Sequence, residues 1–165
     1  MGGFGSGRWH GYKKRVTVED CLILDIADIA DFVISGIMGN GPESGLINCS
    51  KDSSTGHRGK IRYSIEIRDD DSQICRLRYR IGVGSSRKFV DIPILLQTSY
   101  PNFGGCRWWF SCPLEVDGVP CNRRARTLYL PLDRDYFACR VCHDLTYECC
   151  QLNHKFDRLL SIAAW

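Results

Sequence analysis

A chain of 165 residues with 44% hydrophobic and 25% charged side chains has the composition of an ordinary globular protein, which argues against disorder and sets the size at one domain or one domain with a small satellite. A formal net charge of +3 says little about partners, but the charge is unevenly placed. Residues 1–15 hold four bases and no acid, residues 16–57 hold seven acids against Lys51, and residues 58–90 hold nine bases against Glu66, Asp69, Asp70 and Asp71, so two basic zones flank an acidic one.

No run approaches the roughly 20 apolar residues of a membrane span, and the first residues lack the apolar core of a secretory signal. A cytoplasmic protein is expected. Ten cysteines in that reducing compartment are expected as thiols or metal ligands rather than disulfides. Met1-Gly2-Gly3-Phe4-Gly5-Ser6 formally fits a myristoylation consensus, with Lys13, Lys14 and Arg15 as a basic second anchor. The same residues read better as a flexible, basic, glycine-rich arm over 1–16, since Gly2, Gly3, Gly5 and Gly7 make order entropically costly.

Thr17-Val18-Glu19-Asp20 then has the form of a capping box, although Leu22, Ile23 and Leu24 suit a strand equally well. Ile26, Ile29, Ala30 and Val33 recur at helical spacing and Ser35-Gly36 supplies a stop, which predicts a helix over about 25–34 and a loop through Gly39-Asn40-Gly41-Pro42. Alternation follows. Ile61, Tyr63, Ile65 and Ile67 share one face of a strand, and after the Asp69-Asp70-Asp71-Ser72 turn Cys75, Leu77, Tyr79 and Ile81 share one face of the next. Lys88 to Leu96 returns as a more uniformly apolar strand whose Pro93 hints at an edge, and a strand near Leu46 to Ser50 completes a meander. The expected class is α+β, a small antiparallel sheet with a covering helix over 17–100.

Ser99 to Gly105 is expected to mark a boundary, beyond which residues 101–148 carry the pattern of a zinc ribbon. Zinc takes deprotonated thiolates in a tetrahedron, and a Cys-x-x-Cys turn supplies two of them without strain. Cys139-Arg140-Val141-Cys142 is such a turn, following an expected strand at Asp135 to Phe137. Cys112-Pro113 with Cys121, after the strand Arg107 to Phe110, is the wider first half, and Arg124 to Leu130 reads as a strand between the two. Cys106, His143, Cys149 and Cys150 lie close enough in sequence to replace a ligand. A four-thiolate zinc site is closed, hence structural, and supplies on the order of 10 kcal/mol of folding free energy to a module too small for its own core. From Asp144 onward Leu145, Cys149, Leu152, Phe156, Leu159 and Ala163 trace one helical face, so a C-terminal helix is expected over 149–165.

The motifs Gly3-Phe4-Gly5-Ser6-Gly7-Arg8-Trp9 and Thr17-Val18-Glu19-Asp20-Cys21 at one end, and Trp109-Phe110-Ser111-Cys112-Pro113 and Cys139-Arg140-Val141-Cys142-His143-Asp144-Leu145-Thr146-Tyr147 at the other, resemble a family of uncharacterised bacterial and phage proteins. The resemblance spans nearly the whole chain and is loose in the sheet between. It implies a phage or mobile-element setting and supplies no activity. Many members carry a short first cysteine pair, so the step from Cys112 to Cys121 departs from the family pattern.

Two functions fit these residues. Arg76, Arg78 and Arg80 project from one strand face, Arg62 and Arg68 can lie beside them, and Lys88 can continue the row. With Arg8, Trp9, Lys13, Lys14 and Arg15 on the arm, this gives phosphate contacts and rings on which bases stack, the equipment of a nucleic-acid-binding protein. The alternative is a phage-encoded inhibitor or adaptor that binds a host defence nucleoprotein complex of the CRISPR type, through the basic face, through Trp108 or Trp109 as anchors, or through Asp25, Asp28, Asp31 and Glu43 as phosphate mimics. No metal-spaced His-Glu pair, nucleophile elbow or phosphate-loop lysine is present, so no enzyme is expected.

Overall fold

The computed structural model describes residues 15–37, 44–50, 58–70, 72–82 and 87–151. The expected arm before Arg15 and the expected C-terminal helix beyond Gln151 lie outside the described residues. Ten strands and one α-helix are found among the described residues: β1 (Leu22–Asp25), α1 (Ala27–Ile37), β2 (Ser44–Ser50), β3 (Arg58–Ile67), β4 (Gln73–Ile81), β5 (Lys88–Ser99), β6 (Arg107–Ser111), β7 (Glu115–Val116), β8 (Val119–Pro120), β9 (Arg124–Ala125) and β10 (Thr127–Leu130).

The ambiguity before the helix resolves into a single 3-10 turn at Val18–Asp20 followed by strand β1. Two carboxylates fix where α1 begins. Asp25 Oδ1 accepts from the Ala27 N–H at 3.0 Å, satisfying a donor that the first helical turn leaves free, and Asp28 Oδ2 accepts in return from the Asp25 N–H at 3.2 Å. The helix then runs through Ser35-Gly36 to Ile37 instead of stopping there.

The four-strand meander is present, but it is only part of a six-stranded antiparallel sheet in the order β2-β3-β4-β5-β6-β9. Strand β5 continues to Ser99 and pairs with β6, with Leu96 opposite Phe110 and Ser99 opposite Arg107. The expected boundary is therefore a reversal within the sheet: Gly104 and Gly105 both sit at φ 84°, where only a residue without Cβ is at ease. Pro93 is not on an edge strand, because β5 lies between β4 and β6. It is tolerated because β6 pairs with β5 only from Leu96 onward, which leaves that side of Pro93 without a ladder partner.

One face of this sheet is covered by α1 and by the antiparallel pair β1–β10, in which Leu22 faces Leu130 and Leu24 faces Leu128. Ile29 and Val33 of α1, Leu24 and Leu128 of the pair, and Tyr63, Leu77, Ile94 and Phe110 of the sheet belong to one continuous core that reaches Phe137, Cys112 and Cys139. Phe32 meets Tyr63 edge-on at 5.5 Å. Gly45, directly opposite Tyr63, is required by that ring: a Cβ there would lie 2.4 Å from the Tyr63 hydroxyl. A smaller cluster of Val18, Cys21 and Leu145 joins the chain's first described residues to the segment after Cys142.

Candidate metal centre and the basic sheet face

Strand β6 delivers Cys112, and the nine-residue step to Cys121 is a hairpin, β7–β8, closed by Asp117 at φ 53° and Gly118 at φ 78°. Asp-Gly is the residue pair that a two-residue hairpin loop prefers, so the sequence carried a signal for this element that the strand-by-strand reading missed. Backbone bonds from Cys112 N to Arg123 O and from Cys121 N to Leu114 O, both 2.9 Å, return the second cysteine beside the first. The other half is the turn Cys139 to Cys142, whose carbonyls accept from His143 at 3.3 Å and, through Val141, from Asp144 at 3.0 Å. Asp135 to Phe137 forms no strand; the segment is instead tied by a bridge between Tyr129 and Ala138.

The four sulfur atoms of Cys112, Cys121, Cys139 and Cys142 lie within 4.8 Å of one another, a group able to hold a metal ion. Cys112 Sγ is 3.9 Å from Cys142 Sγ and Cys121 Sγ is 4.0 Å from Cys139 Sγ. The Cys139 N–H donates to Cys112 Sγ at 3.3 Å, and Arg123 Nη1 donates to Cys139 Sγ at 3.8 Å. A hydrogen bond from the Cys112 thiol pulls the Cys139 pKa down, while the same contact pushes Cys112 up, and burial with a bond to Cys121 pushes Cys142 up. Crowded thiols thus resist ionising together, and a cation at their centre removes that resistance. Cys106, Cys149 and Cys150 are exposed and apart from the group. His143 Nε2 lies 3.1 Å from the Tyr136 carbonyl instead.

The opposite face of the sheet is open, and register decides what its cations do. Arg76 is clamped by Glu66 at 2.7 Å and reaches Asp91 at 3.2 Å; Arg78 shares Asp91 at 3.0 Å. Among the described residues no carboxylate pairs with Arg80 or Arg62. The hydrogen bond from Arg76 holds the Glu66 carboxyl below its usual range, and at Asp91 a burial penalty is outweighed by the bonds from Arg78 and Arg76. Lys88 does not continue the row: it lies beside Val90 on the covered side, ion-paired with Asp135 and over the Tyr136 ring at 5.4 Å. Arg68 sits past the end of β3 in the turn, its N–H bonded to Ser72 O at 2.9 Å. Arg15 pairs with Asp144. Arg8, Trp9, Lys13 and Lys14 lie outside the described residues.

At the end of β4 the open face meets the covered side in a groove of about 860 Å³, walled on one side by Tyr79 and Ile81 of β4 and by Leu22, Leu130, Pro131 and Leu132. Its cations are Lys60, Arg62, Arg78, Arg80, Arg87 and Arg134, and Phe89 lies among them. Sequence reasoning missed Lys60, Arg87, Phe89 and Arg134. Phe89 had a signal, since it breaks the alternation of Val90, Ile92, Ile94 and Leu96; Arg134 had none, because only tertiary structure brings it here. Trp108 is buried, and Trp109 donates from Nε1 to Ser99 Oγ at 2.8 Å. Asp25 is occupied by Arg126 as well as by the start of α1.

Fold and site together define a protein whose described residues form mostly antiparallel sheet with one α-helix and a four-cysteine group able to hold a metal ion. No family model matches the chain, nor does any curated protein or solved structure match it significantly. No helix among the described residues is long and apolar enough to cross a membrane.

Proposed function

We propose that this protein binds nucleic acid through the groove on its open sheet face and that zinc in the four-cysteine group holds the scaffold. Zinc is favoured by the donor set and its spacing: a Zn–S length of about 2.3 Å implies a tetrahedral edge of about 3.8 Å, and the pairs stand 3.9 and 4.0 Å apart. With four thiolates the coordination shell is closed, so the ion's role is structural rather than catalytic. The motif resemblance supports a phage or mobile-element setting.

The observation that carries the reading is the groove's charge. Six cationic side chains line it with no carboxylate among the described lining residues. Arg62 stands directly opposite Arg78 on neighbouring strands, a like-charge juxtaposition that weakens a sheet and that a polyanion relieves. The inhibitor alternative has less support, since Trp108 is buried and Asp25 is engaged internally. Titrating a labelled oligonucleotide over a range of salt tests the proposal. Replacing Arg62 and Arg80 together by Ala is expected to weaken binding and lower the salt slope by about 2, one for each lost phosphate contact. An unchanged slope removes the groove from consideration.

A further inference from the structure

We infer that the groove accepts single-stranded rather than duplex nucleic acid and stacks a base on Phe89; this rests on the nucleic-acid reading above and deepens it. Phe89, near the start of β5 where β6 does not yet pair, is 60% exposed on the open face, while Tyr63 and Tyr79 on the covered face are buried. Its ladder neighbour on β4 is Arg80, and two positions back along β4, on the same face, is Arg78. The ring is therefore framed by guanidinium groups, and Leu46, likewise exposed, adds an apolar surface in the same groove. Arg78 is paired with Asp91 at 3.0 Å, whereas Arg80 has no carboxylate partner among the described residues, and an apolar ring beside such a cation matches a base and the phosphate attached to it.

Shape selects the single strand. Duplex readers insert a protruding helix, ribbon or loop into a DNA groove, because paired bases turn inward and leave only edges to touch. Here the relation is reversed: the aromatic ring lines a concavity, one wall of which is the segment Leu130 to Leu132. A duplex resting on the rim keeps its bases stacked on one another, out of reach of Phe89. An unpaired base can turn out of its strand and lie flat on the ring while its backbone runs past Arg80, Arg62 and Lys60. Stacking of this kind is worth on the order of tenfold or more in affinity per base, and it is indifferent to salt. Phosphate contacts are the part that salt weakens.

The experiment compares a labelled single-stranded oligonucleotide of mixed sequence with the blunt duplex of the same length, using the full chain in one buffer. The single strand is expected to bind at least about tenfold tighter, and Phe89→Ala to weaken it by about tenfold with the salt slope unchanged. Phe89→Trp, which keeps a stacking surface, is expected to restore the affinity. Because Phe89 is mostly exposed, thermal melting of both variants should match the parent chain. Equal or tighter duplex binding, or a Phe89→Ala variant that binds the single strand as the parent does, overturns the single-strand inference and leaves the nucleic-acid reading standing. Absence of binding to either strand form overturns that reading itself.

Discussion

The two faces of the six-stranded sheet come from the same strands by the same alternation, yet different physics holds them. On the covered face Tyr63, Leu77 and Ile94 are fixed by burial under α1 and β1–β10, where any well-packed apolar side chain of similar volume meets the need. On the open face Arg76, Arg78 and Arg80 repeat at one spacing but occupy three electrostatic settings: clamped by two acids, sharing one acid, and paired with none of the described residues. Alternation assigns a residue to a face. Whether a charge on that face is available to a ligand depends on what the neighbouring strand places opposite it, and that depends on register.

The largest way to break this contrast is to attack both faces at once through the metal centre. The segment from Leu130 to Arg134 lines the groove, and Phe137 to Cys139 just beyond it belong to the covered core. Both depend on Cys139 being anchored. The purified chain is expected to carry bound zinc at an equimolar level, and Cys139→Ser to lose it, with melting lowered by on the order of 10 °C or more. Metal analysis and thermal denaturation check this, and oligonucleotide affinity should fall with the metal. A chelator that strips the ion without moving the melting curve would separate the sulfur group from the fold and defeat the argument.

A change confined to the covered face is expected to act on stability alone. Leu77 is fully buried at the centre of that face, and Leu77→Ala should cost about 2–5 kcal/mol through lost burial and the cavity left behind. Chemical denaturation measures that loss. At a temperature where the variant remains folded, its affinity for an oligonucleotide should equal the parent's, because Arg62, Arg78, Arg80 and Phe89 stay on the other face of the sheet. Weakened binding by the folded variant would mean that the two faces are mechanically coupled.

How much of this was legible in the sequence follows from the range of the interactions. The apolar alternation of Ile61 to Ile67 and of Cys75 to Ile81 gave strands β3 and β4 because burial on one face is a local constraint with a period of two. The four-cysteine group was legible because metal–thiolate chemistry demands a donor type that few other roles explain. Pairing between distant segments left no such trace: β1 joins β10 across about a hundred residues, and nothing in Leu22 to Asp25 names Thr127 to Leu130 as its partner. The same holds for Val18 and Cys21 resting on Leu145; Lys88, by contrast, leaves the basic row through local alternation, sharing the face of Val90. Asp117-Gly118 was different in kind, a local turn signal that was present and overlooked.

The smallest expected effect is also the sharpest test of the contrast among the three arginines. Arg76→Ala removes as much formal charge from the open face as Arg80→Ala, yet Glu66 and Asp91 already neutralise Arg76. Its loss should leave oligonucleotide affinity at neutral pH within about twofold and the salt slope unchanged, whereas Arg80→Ala lowers the slope by about 1. Melting should fall only slightly, as is usual when a partly exposed ion pair is broken. The pH dependence has a definite sign. Glu66 and Asp91 titrate below their ordinary values in the folded chain, so the stability from their pairs is fully present above the ordinary carboxylate range near pH 4 and disappears as the pH falls through the depressed folded values. Glu66→Gln reaches the same end at neutral pH by loosening the clamp, and it should strengthen oligonucleotide binding slightly while Arg76→Ala does not. If Arg76→Ala and Arg80→Ala instead weaken binding equally, ion pairing within the sheet does not govern which cations the ligand meets, and charge count alone accounts for the face.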